Sequence, residues 1–222
     1  MIKKIKEQNR INNKFNLKKR EDNISNDGLP KYLYIVCEGE KTEPNYLHSL
    51  CNEINRKFYK YSQKTRIIIK GAGKNTRSLL DFARISVKEE MPYAQEVWLV
   101  YDKDDFPKDD FDNTQYSAEG KNDSIKYKVA WSNECFELWL ILHFQYFDSP
   151  VDRNAYIKQL KTFIPNYKKN IKDIYEKLKD KIPKAIRNAK KLYKNYAKGT
   201  PPSKMCPATR VYELVEYLQK YS

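Results

Sequence analysis

Short apolar runs alternate along the first 150 residues with segments in which apolar residues recur at helical spacing. The first helical segment starts at Thr42-Glu43-Pro44, which offers a cap and an early proline. Further helices are predicted near 76–90 and 134–147, the second capped by Ser132-Asn133, with helical content in the polar stretch before residue 127. The apolar runs predict strands at 32–37, 66–70, 96–101 and 127–131. This alternation predicts an α/β fold with a mostly parallel sheet flanked by helices.

The chain changes character near both ends. The first residues are polar and basic without a sustained period. From about residue 152 only helical patterns follow, and they are interrupted at Pro165, Pro183 and Gly199-Thr-Pro-Pro202. We therefore predict a basic flexible arm, or one marginal helix, at 1–29, an α/β domain at 30–150, and a basic helical extension at 151–222 that packs on the same domain.

Composition limits where the protein acts. No run approaches the roughly 18 apolar residues of a membrane span, and the N-terminus lacks the apolar region of a signal peptide. The four cysteines show neither the paired CxxC spacing of zinc sites nor the density of a secreted disulfide framework. We expect a soluble, cytoplasmic protein with reduced thiols and no membrane partner.

The formal charge of +14 is concentrated toward the C-terminus. Residues 1–30 carry 8 basic and 4 acidic residues, 31–150 carry 17 and 19, and 151–222 carry 18 and 6, which gives +4, −2 and +12. Such a field attracts polyanions, and the interleaved tyrosines can stack on bases. The alternative is a solvated basic surface. We predict contact with nucleic acid through lysines that include Lys168, Lys169, Lys190 and Lys191.

Acidic residues follow two of the predicted strands where each strand ends. Glu38 follows the strand at 32–37, and Asp102 and Asp104 follow the strand at 96–101. In an open parallel sheet, ligands bind beyond these carboxyl ends. Crowded carboxylates repel one another and favour a cation, and Mg²⁺ or Mn²⁺ prefers oxygen ligands. The sequence predicts a metal site with Asp102 and Asp104 as ligands and with Glu38 as a ligand or as the general base that orients water.

Further carboxylates surround this predicted site. Glu43 lies in the first turn of the helix that follows Glu38, and Glu137 shares a predicted helix face with Glu134. Glu43 and Glu137 are candidate ligands for one ion or two, whereas the roles of Glu40 and Glu134 stay open. The predicted set comprises the catalytic residues Glu38, Asp102, Asp104 and Glu137 and the phosphate-contacting lysines Lys41 and Lys103.

Each feature has a structural alternative. A Glu-Gly pair after a strand is commonly a turn, an acidic run is commonly a solvated loop, and Glu137 could pair with basic C-terminal residues. The run Gly71-Ala-Gly73-Lys74 lacks the GxxxxGK[ST] spacing of a phosphate-binding loop. His143 lies in an apolar segment, so a core histidine is favoured over a catalytic base.

Three long motifs resemble signatures of the RloB-like family. They are Ile35-Val-Cys-Glu-Gly-Glu-Lys-Thr-Glu-Pro-Asn-Tyr46, Val97-Trp-Leu-Val-Tyr-Asp-Lys-Asp-Asp105 and Ser132-Asn-Glu-Cys-Phe-Glu-Leu-Trp-Leu-Ile-Leu-His-Phe144, with a weaker match at Cys206-Pro-Ala-Thr-Arg-Val-Tyr212. The resemblance covers about residues 32–218. It implies a TOPRIM-like Rossmannoid fold, in which a Glu follows the first strand and an Asp-x-Asp follows a later one. One departure is Glu134, where the family usually has proline.

The resemblance also implies a biological setting. The family is associated with bacterial restriction or abortive-infection loci, often beside an ATPase gene, and is similar to the TOPRIM nuclease part of overcoming-lysogenization-defect proteins. We therefore expect a metal-dependent nuclease that hydrolyses phosphodiester bonds in RNA, including tRNA, or in DNA, as an anti-phage effector. The alternatives are a catalytically silent nucleic-acid-binding subunit that docks on an ATPase, and a nucleotidyl or phosphoryl transferase. The oligomeric state stays open.

Overall fold

The computed structural model describes residues 28–61, 64–104, 107–120 and 124–222. The predicted basic arm lies outside the described residues except for its last two, and so does Asp105. Within the described part, five strands form one sheet in the order β2-β1-β3-β4-β5. Strands β1 to β4 run parallel, and β5 pairs antiparallel to β4. The strands are β1 Leu33–Cys37, β2 Ile67–Gly71, β3 Glu96–Asp102, β4 Lys126–Asn133 and β5 Ala208–Thr209.

Helices cover both faces of this sheet. In the described ranges they are α1 Thr42–Phe58, α2 Thr76–Glu90, α3 Lys108–Glu119, α4 Glu137–Leu142, α5 Arg153–Phe163, α6 Ile174–Leu178, α7 Ile182–Tyr193 and α8 Val211–Gln219, with 3₁₀ turns at Tyr59–Tyr61, Lys179–Lys181 and Pro202–Lys204. None of these described helices has the length and apolar character needed to cross a membrane. The predicted α/β class with a mostly parallel sheet is confirmed, and the architecture is compatible with a Rossmannoid fold.

The side chains of β1 alternate between two buried layers. Leu33 and Ile35 pack in the layer that contains α1 and α4 to α8. Tyr34 and Val36 pack on the opposite face against α2 and α3. Because both faces are covered, the whole strand is apolar, as is typical of a central parallel strand.

Residues 151–222 share the first of these layers. Leu160, Leu178, Ala185 and Leu214 are buried in the same cluster as the β1 side chains. The strand β5 also comes from this part of the chain and extends the sheet. The C-terminal helices therefore pack directly on the sheet. All four cysteines are free thiols, as expected.

The helix predicted at 134–147 is observed only over Glu137–Leu142, and the predicted cap at Ser132-Asn133 is wrong. Strand β4 continues through Asn133, because Ser132 and Asn133 pair with β5. The Asn133 side-chain amide donates to the Pro202 carbonyl oxygen over 3.1 Å instead of capping a helix. Only α4 is helical in this stretch. The strand partner lies far away in sequence, so the local pattern could not reveal it.

Two further predictions are corrected by contacts with the C-terminal part. The helical pattern after residue 152 gave no sign of β5, which has two residues. Thr42 does not cap α1 but is its first residue. The Thr42 hydroxyl donates to the Lys169 carbonyl oxygen over 2.7 Å. A tertiary contact therefore uses the group that the sequence assigned to a local cap.

Glu96 at the start of β3 provides a test of the fold. Its side chain is 2% exposed and lies 2.5 Å from Lys31 Nζ and 2.9 Å from Lys128 Nζ. Burial alone would raise the pKa of Glu96, but the bonds from both lysines outweigh burial and lower the pKa below its ordinary value. The stabilisation is therefore present above the unfolded pKa of about 4.3 and is lost as pH falls through the folded pKa.

We predict that Glu96→Gln lowers the free energy of unfolding by about 1–2 kcal/mol at pH 7, because the buried carboxylate is lost from both ion pairs. The difference from wild type should shrink below about pH 4. Urea unfolding across pH measures it. The control Glu90→Gln breaks an exposed pair with Lys70 and should cost less than about 0.5 kcal/mol. A Glu96→Gln difference that is independent of pH would contradict the prediction.

Candidate active site

A cavity of about 410 Å³ lies at the carboxyl ends of β1 and β3. This is the edge of an open α/β sheet at which ligands bind. The cavity wall comes from the loops after β1 and β3, the first turn of α4, the start of α5 and the segment before α6. We call this cavity the acidic pocket, and its charged lining residues are Glu38, Glu40, Glu43, Asp102, Asp104, Glu137, Lys41, Arg153 and Lys169.

Parallel pairing of β1 with β3 places Glu38 beside Asp102. Cys37 is in register with Val100, so the chain reaches Glu38 next to the end of β3. The Asp102 backbone N–H donates to Glu38 Oε2 over 3.0 Å. The hydroxyl of Thr76, at the start of α2, donates to Glu38 Oε1 over 3.1 Å. Two hydrogen bonds from different elements therefore fix the Glu38 carboxylate.

Arg153 bridges the two aspartates of the pocket. Its Nη2 lies 2.7 Å from Asp102 Oδ2, and its Nη1 lies 2.6 Å from Asp104 Oδ2. The Asp102 side chain is 5% exposed, whereas that of Asp104 is 23% exposed. Sequence reasoning missed Arg153. It is one basic residue among many in its segment, and no motif distinguishes it.

The backbone at Asp104 has a left-handed conformation, with φ of 38°. A non-glycine residue in this region is uncommon and costs on the order of 1–3 kcal/mol, and such residues cluster at functional sites. The Asp104 N–H donates to the Glu134 carbonyl oxygen over 3.1 Å, which holds the turn. Lys103, which was predicted to contact phosphate, instead donates from its Nζ to the Asp104 carbonyl oxygen of this turn over 3.1 Å.

Glu43 and Glu137 complete the acidic lining, and both are buried. Glu137 Oε1 accepts a hydrogen bond from the Tyr167 hydroxyl over 3.2 Å. Glu43 lies close to Gly39, where a β-carbon would come within 2.5 Å of Glu43 Oε2. A side chain at position 39 would therefore displace the Glu43 carboxylate. Tyr167 was missed as a site residue because its sequence neighbours suggested only stacking on bases.

Burial and crowding raise the pKa of several carboxyls. Burial raises the pKa of Glu38 to about 7, although the hydrogen bonds from Asp102 and Thr76 oppose it. Burial, and then the negative charge of Glu43, raise the pKa of Asp102 well above its usual range. Burial and the charge of Glu137 likewise raise the pKa of Glu43. The pocket therefore concentrates negative charge in a place that solvates it poorly.

The charges in the acidic pocket bear on the predicted metal. Six carboxylates line it against three cations, an excess of three negative charges when all are ionised. Their hard oxygen atoms suit Mg²⁺ or Mn²⁺. However, the described residues contain no group of three His, Cys, Asp or Glu side chains that is arranged to hold a metal ion. The carboxylate oxygens are suitable ligands for Mg²⁺ or Mn²⁺. In the observed arrangement, however, Asp102 and Asp104 pair with Arg153.

The other predicted site residues lie in several places. Lys41 and Lys169 line the acidic pocket. Lys168 is exposed outside the pocket lining. Lys190 pairs with Glu216 of α8. Lys191 Nζ lies 4.2 Å from the centre of the Tyr146 ring.

Two residues with open roles are also placed. Glu134 precedes α4 and so does not share a helix face with Glu137, which corrects that prediction. His143 is buried and hydrogen-bonded to the Tyr46 hydroxyl and the Trp139 carbonyl oxygen. Burial lowers the pKa of His143 to about 4. These contacts are those of a core histidine.

The glycine-rich segment after β2 shapes the acidic pocket rather than forming a phosphate loop. Gly73 has φ of 57° and lines the pocket. A β-carbon on Gly73 would lie 2.6 Å from Glu40 Oε1, and one on Gly71 would lie 2.9 Å from the Glu40 α-carbon. The two glycines therefore let this segment pack against the loop that carries Glu38 and Glu40.

A second, larger cavity of about 730 Å³ lies between β4 and α8. Its charged groups largely neutralise one another. Arg210 pairs with Glu119 and Glu213, and Glu216 pairs with Lys190. This cavity lacks the concentration of one charge that marks the acidic pocket.

The molecule is thus an α/β protein with a carboxylate-rich pocket at the carboxyl ends of parallel strands. The model of the RloB-like protein family matches residues 33–218. The chain belongs to the RloB-like family. No curated protein and no solved structure matches it.

The glycine contacts predict unequal costs of adding one methyl group beside the acidic pocket. Gly71→Ala meets the backbone of the Glu38–Glu40 loop and should lower the free energy of unfolding by about 1–3 kcal/mol. Gly39→Ala meets only the end of the flexible Glu43 side chain and should cost less than about 1 kcal/mol. Urea unfolding followed by tryptophan fluorescence compares the two, and equal costs would contradict the described packing.

Proposed function

We propose that this RloB-like protein is a nuclease that hydrolyses phosphodiester bonds in RNA, including tRNA, or in DNA, with Mg²⁺ or Mn²⁺ as cofactor. The observation that carries this proposal is the convergence of Glu38, Asp102 and Asp104 in one pocket at the carboxyl ends of β1 and β3. The excess of carboxylates over cations there supports a site for a divalent ion. A substrate with repeated phosphates fits the strongly basic C-terminal part.

The residues of the acidic pocket divide into three roles. Asp102 and Asp104 would hold the metal, with Glu43 and Glu137 near enough in the lining to contribute further oxygen ligands. When bound, the ion would polarise the phosphoryl oxygen and lower the pKa of water. Glu38, fixed by two hydrogen bonds, would serve as a ligand or as the carboxylate that orients the attacking water and accepts its proton.

Cations at the pocket support the binding of a polyanion. Lys41 and Lys169 line the acidic pocket, and Lys103 lies in the loop that carries Asp104. Outside the pocket lining, Lys181 and Lys191 add positive charge that attracts phosphates, and each already lies over an aromatic ring, of Phe144 and Tyr146 respectively.

The biological role rests on the resemblance to families found at bacterial restriction and abortive-infection loci. On this proposal the protein is a cytoplasmic effector of anti-phage defence that works with an ATPase partner. The partner would either restrain the nuclease or release it. Toxicity of the protein expressed alone would favour restraint.

A second candidate is a catalytically silent subunit that binds nucleic acid in an ATPase-containing complex. Arg153 favours this candidate, because it pairs with the two aspartates that a metal would need. Magnesium separates the two functions. A silent subunit binds nucleic acid equally well in chelator and shows no turnover, whereas the nuclease yields products only with Mg²⁺ or Mn²⁺.

We predict that Asp102→Asn combined with Asp104→Asn reduces cleavage of labelled tRNA, RNA or DNA by at least about 100-fold, because several kcal/mol of metal-dependent stabilisation are lost. Product formation is measured in Mg²⁺, Mn²⁺ and chelator with highly purified protein. Asp81→Asn, at an exposed residue of α2, is the matched control and should retain activity. Cleavage that survives in the double variant would refute the proposed site.

The lysines of the pocket should matter more than those on α7. Lys41→Gln with Lys169→Gln should weaken nucleic-acid binding and reduce the salt slope of the affinity by about 1 for each lost phosphate contact. Lys190→Gln should have a smaller effect, because Lys190 is already paired with Glu216. Fluorescence anisotropy at several salt concentrations measures both. A larger loss from Lys190→Gln would place the nucleic acid on α7 instead.

A further inference from the structure

Arg153 contacts the same oxygen atoms that the proposed function assigns to a metal. The guanidinium spans Asp102 Oδ2 at 2.7 Å and Asp104 Oδ2 at 2.6 Å. Charge-assisted bonds of this length are strong. A divalent ion that used these two oxygens would therefore have to displace Arg153.

The position of Arg153 is not explained by its own helix. Arg153 is the first residue of α5, where the helix dipole disfavours a cation. Asp152 already caps this helix by accepting hydrogen bonds from the Asn154 and Ala155 N–H groups. The Nε of Arg153 is buried without a hydrogen-bond partner among the described residues, which is unfavourable. The acidic pair, rather than α5, holds the guanidinium in place.

One guanidinium does not balance the charge of the acidic pocket. Glu43 and Glu137 line the same pocket beside the two aspartates. The Oδ2 atoms of Asp102 and Asp104 contact the single positive charge of Arg153. A divalent ion in its place would bring two positive charges to them. Because the ion and Arg153 would repel each other at contact distance, each would weaken the binding of the other to the two Oδ2 atoms.

We propose that Arg153 is an exchangeable counter-cation. It holds Asp102 and Asp104 together until a divalent ion takes their oxygens, and the released guanidinium then binds a phosphate of the nucleic acid. The inference rests on the proposed function and adds a competition that sets the metal affinity. The planar fork of arginine matches two phosphate oxygens. Lys41 and Lys169 line the same pocket, so the released group joins two other cations that face the ligand.

This exchange couples the two ligands. A phosphate that binds the released guanidinium removes the competitor of the metal, and the metal frees the guanidinium for the phosphate. Each ligand should therefore raise the affinity of the other by the same factor. Direct attraction between the ion and the phosphate also couples them, so the exchange is measured by the part of the coupling that is lost in Arg153→Gln.

Metal affinity gives the first test, independent of cleavage. Electron paramagnetic resonance of free Mn²⁺ measures binding to the full chain at pH 7.5 as wild type, Arg153→Gln and Arg153→Lys. Arg153→Gln should bind Mn²⁺ at least about tenfold more tightly than wild type, because a competing charge is removed. Arg153→Lys should lie between them, since lysine keeps the charge but lacks the fork. The matched control Arg84→Gln breaks an arginine–aspartate pair outside the pocket and should bind like wild type.

Mn²⁺ affinity that is unchanged or weaker in both Arg153 variants would overturn the exchange. Thermal melting checks that each variant is folded. If Arg153→Gln does not fold, Arg153→Lys decides alone: tighter binding than wild type supports the exchange, and equal or weaker binding overturns it.

Nucleic-acid affinity tests the second half of the exchange. With saturating Mn²⁺ and a labelled RNA that is shown to be intact at the end of each binding measurement, Arg153→Gln should bind at least about fivefold more weakly than wild type. Unchanged RNA affinity would overturn the transfer to phosphate. Tighter Mn²⁺ binding by Arg153→Gln together with a wild type that never cleaves would support the exchange and refute the nuclease. Cleavage by the wild type, together with Mn²⁺ affinity that does not change in Arg153→Gln, would support the nuclease and overturn the exchange.

Discussion

The parallel pairing of β1 with β3 is the constraint on which the acidic pocket depends. Because the two strands run in the same direction, the chain leaves the sheet at the same end after each of them. Glu38 therefore lies next to Asp102 and accepts a hydrogen bond from its backbone N–H. Antiparallel pairing would send the two acidic loops to opposite edges. The apolar side chains of β1 on both faces hold this arrangement, because they bury the strand between two helical layers.

Buried negative charge is the second physical feature of the molecule. Carboxyls that lose water and face one another have raised pKa values, as at Glu38 and Asp102. Crowded carboxylates destabilise the folded state unless cations or hydrogen-bond donors stabilise them. In the described structure, Arg153 supplies part of the offset, and the hydrogen bonds to Glu38 and Glu137 supply another part. The remaining excess supports the proposal that a divalent cation binds in this pocket.

The C-terminal part of the chain completes the site as well as carrying charge. It supplies Arg153, Tyr167 and Lys169 to the pocket and adds β5 to the sheet. Its contact with Thr42 also fixes the start of α1, the helix that carries Glu43. If this basic segment binds nucleic acid, as proposed, the same helices would both contact the substrate and position the side chains of the acidic pocket.

The sequence by itself determined the order of strands and helices in the α/β part and the position of acidic residues at strand ends. Those features are local, because hydrophobic period and residue order along one segment encode them. Only the tertiary structure decided that Arg153 bridges Asp102 and Asp104, that Tyr167 binds Glu137, and that Ser132-Asn133 continue β4 rather than cap a helix. These contacts join residues far apart in the chain, and no local pattern specifies which distant partner will satisfy a buried charge or an open strand edge.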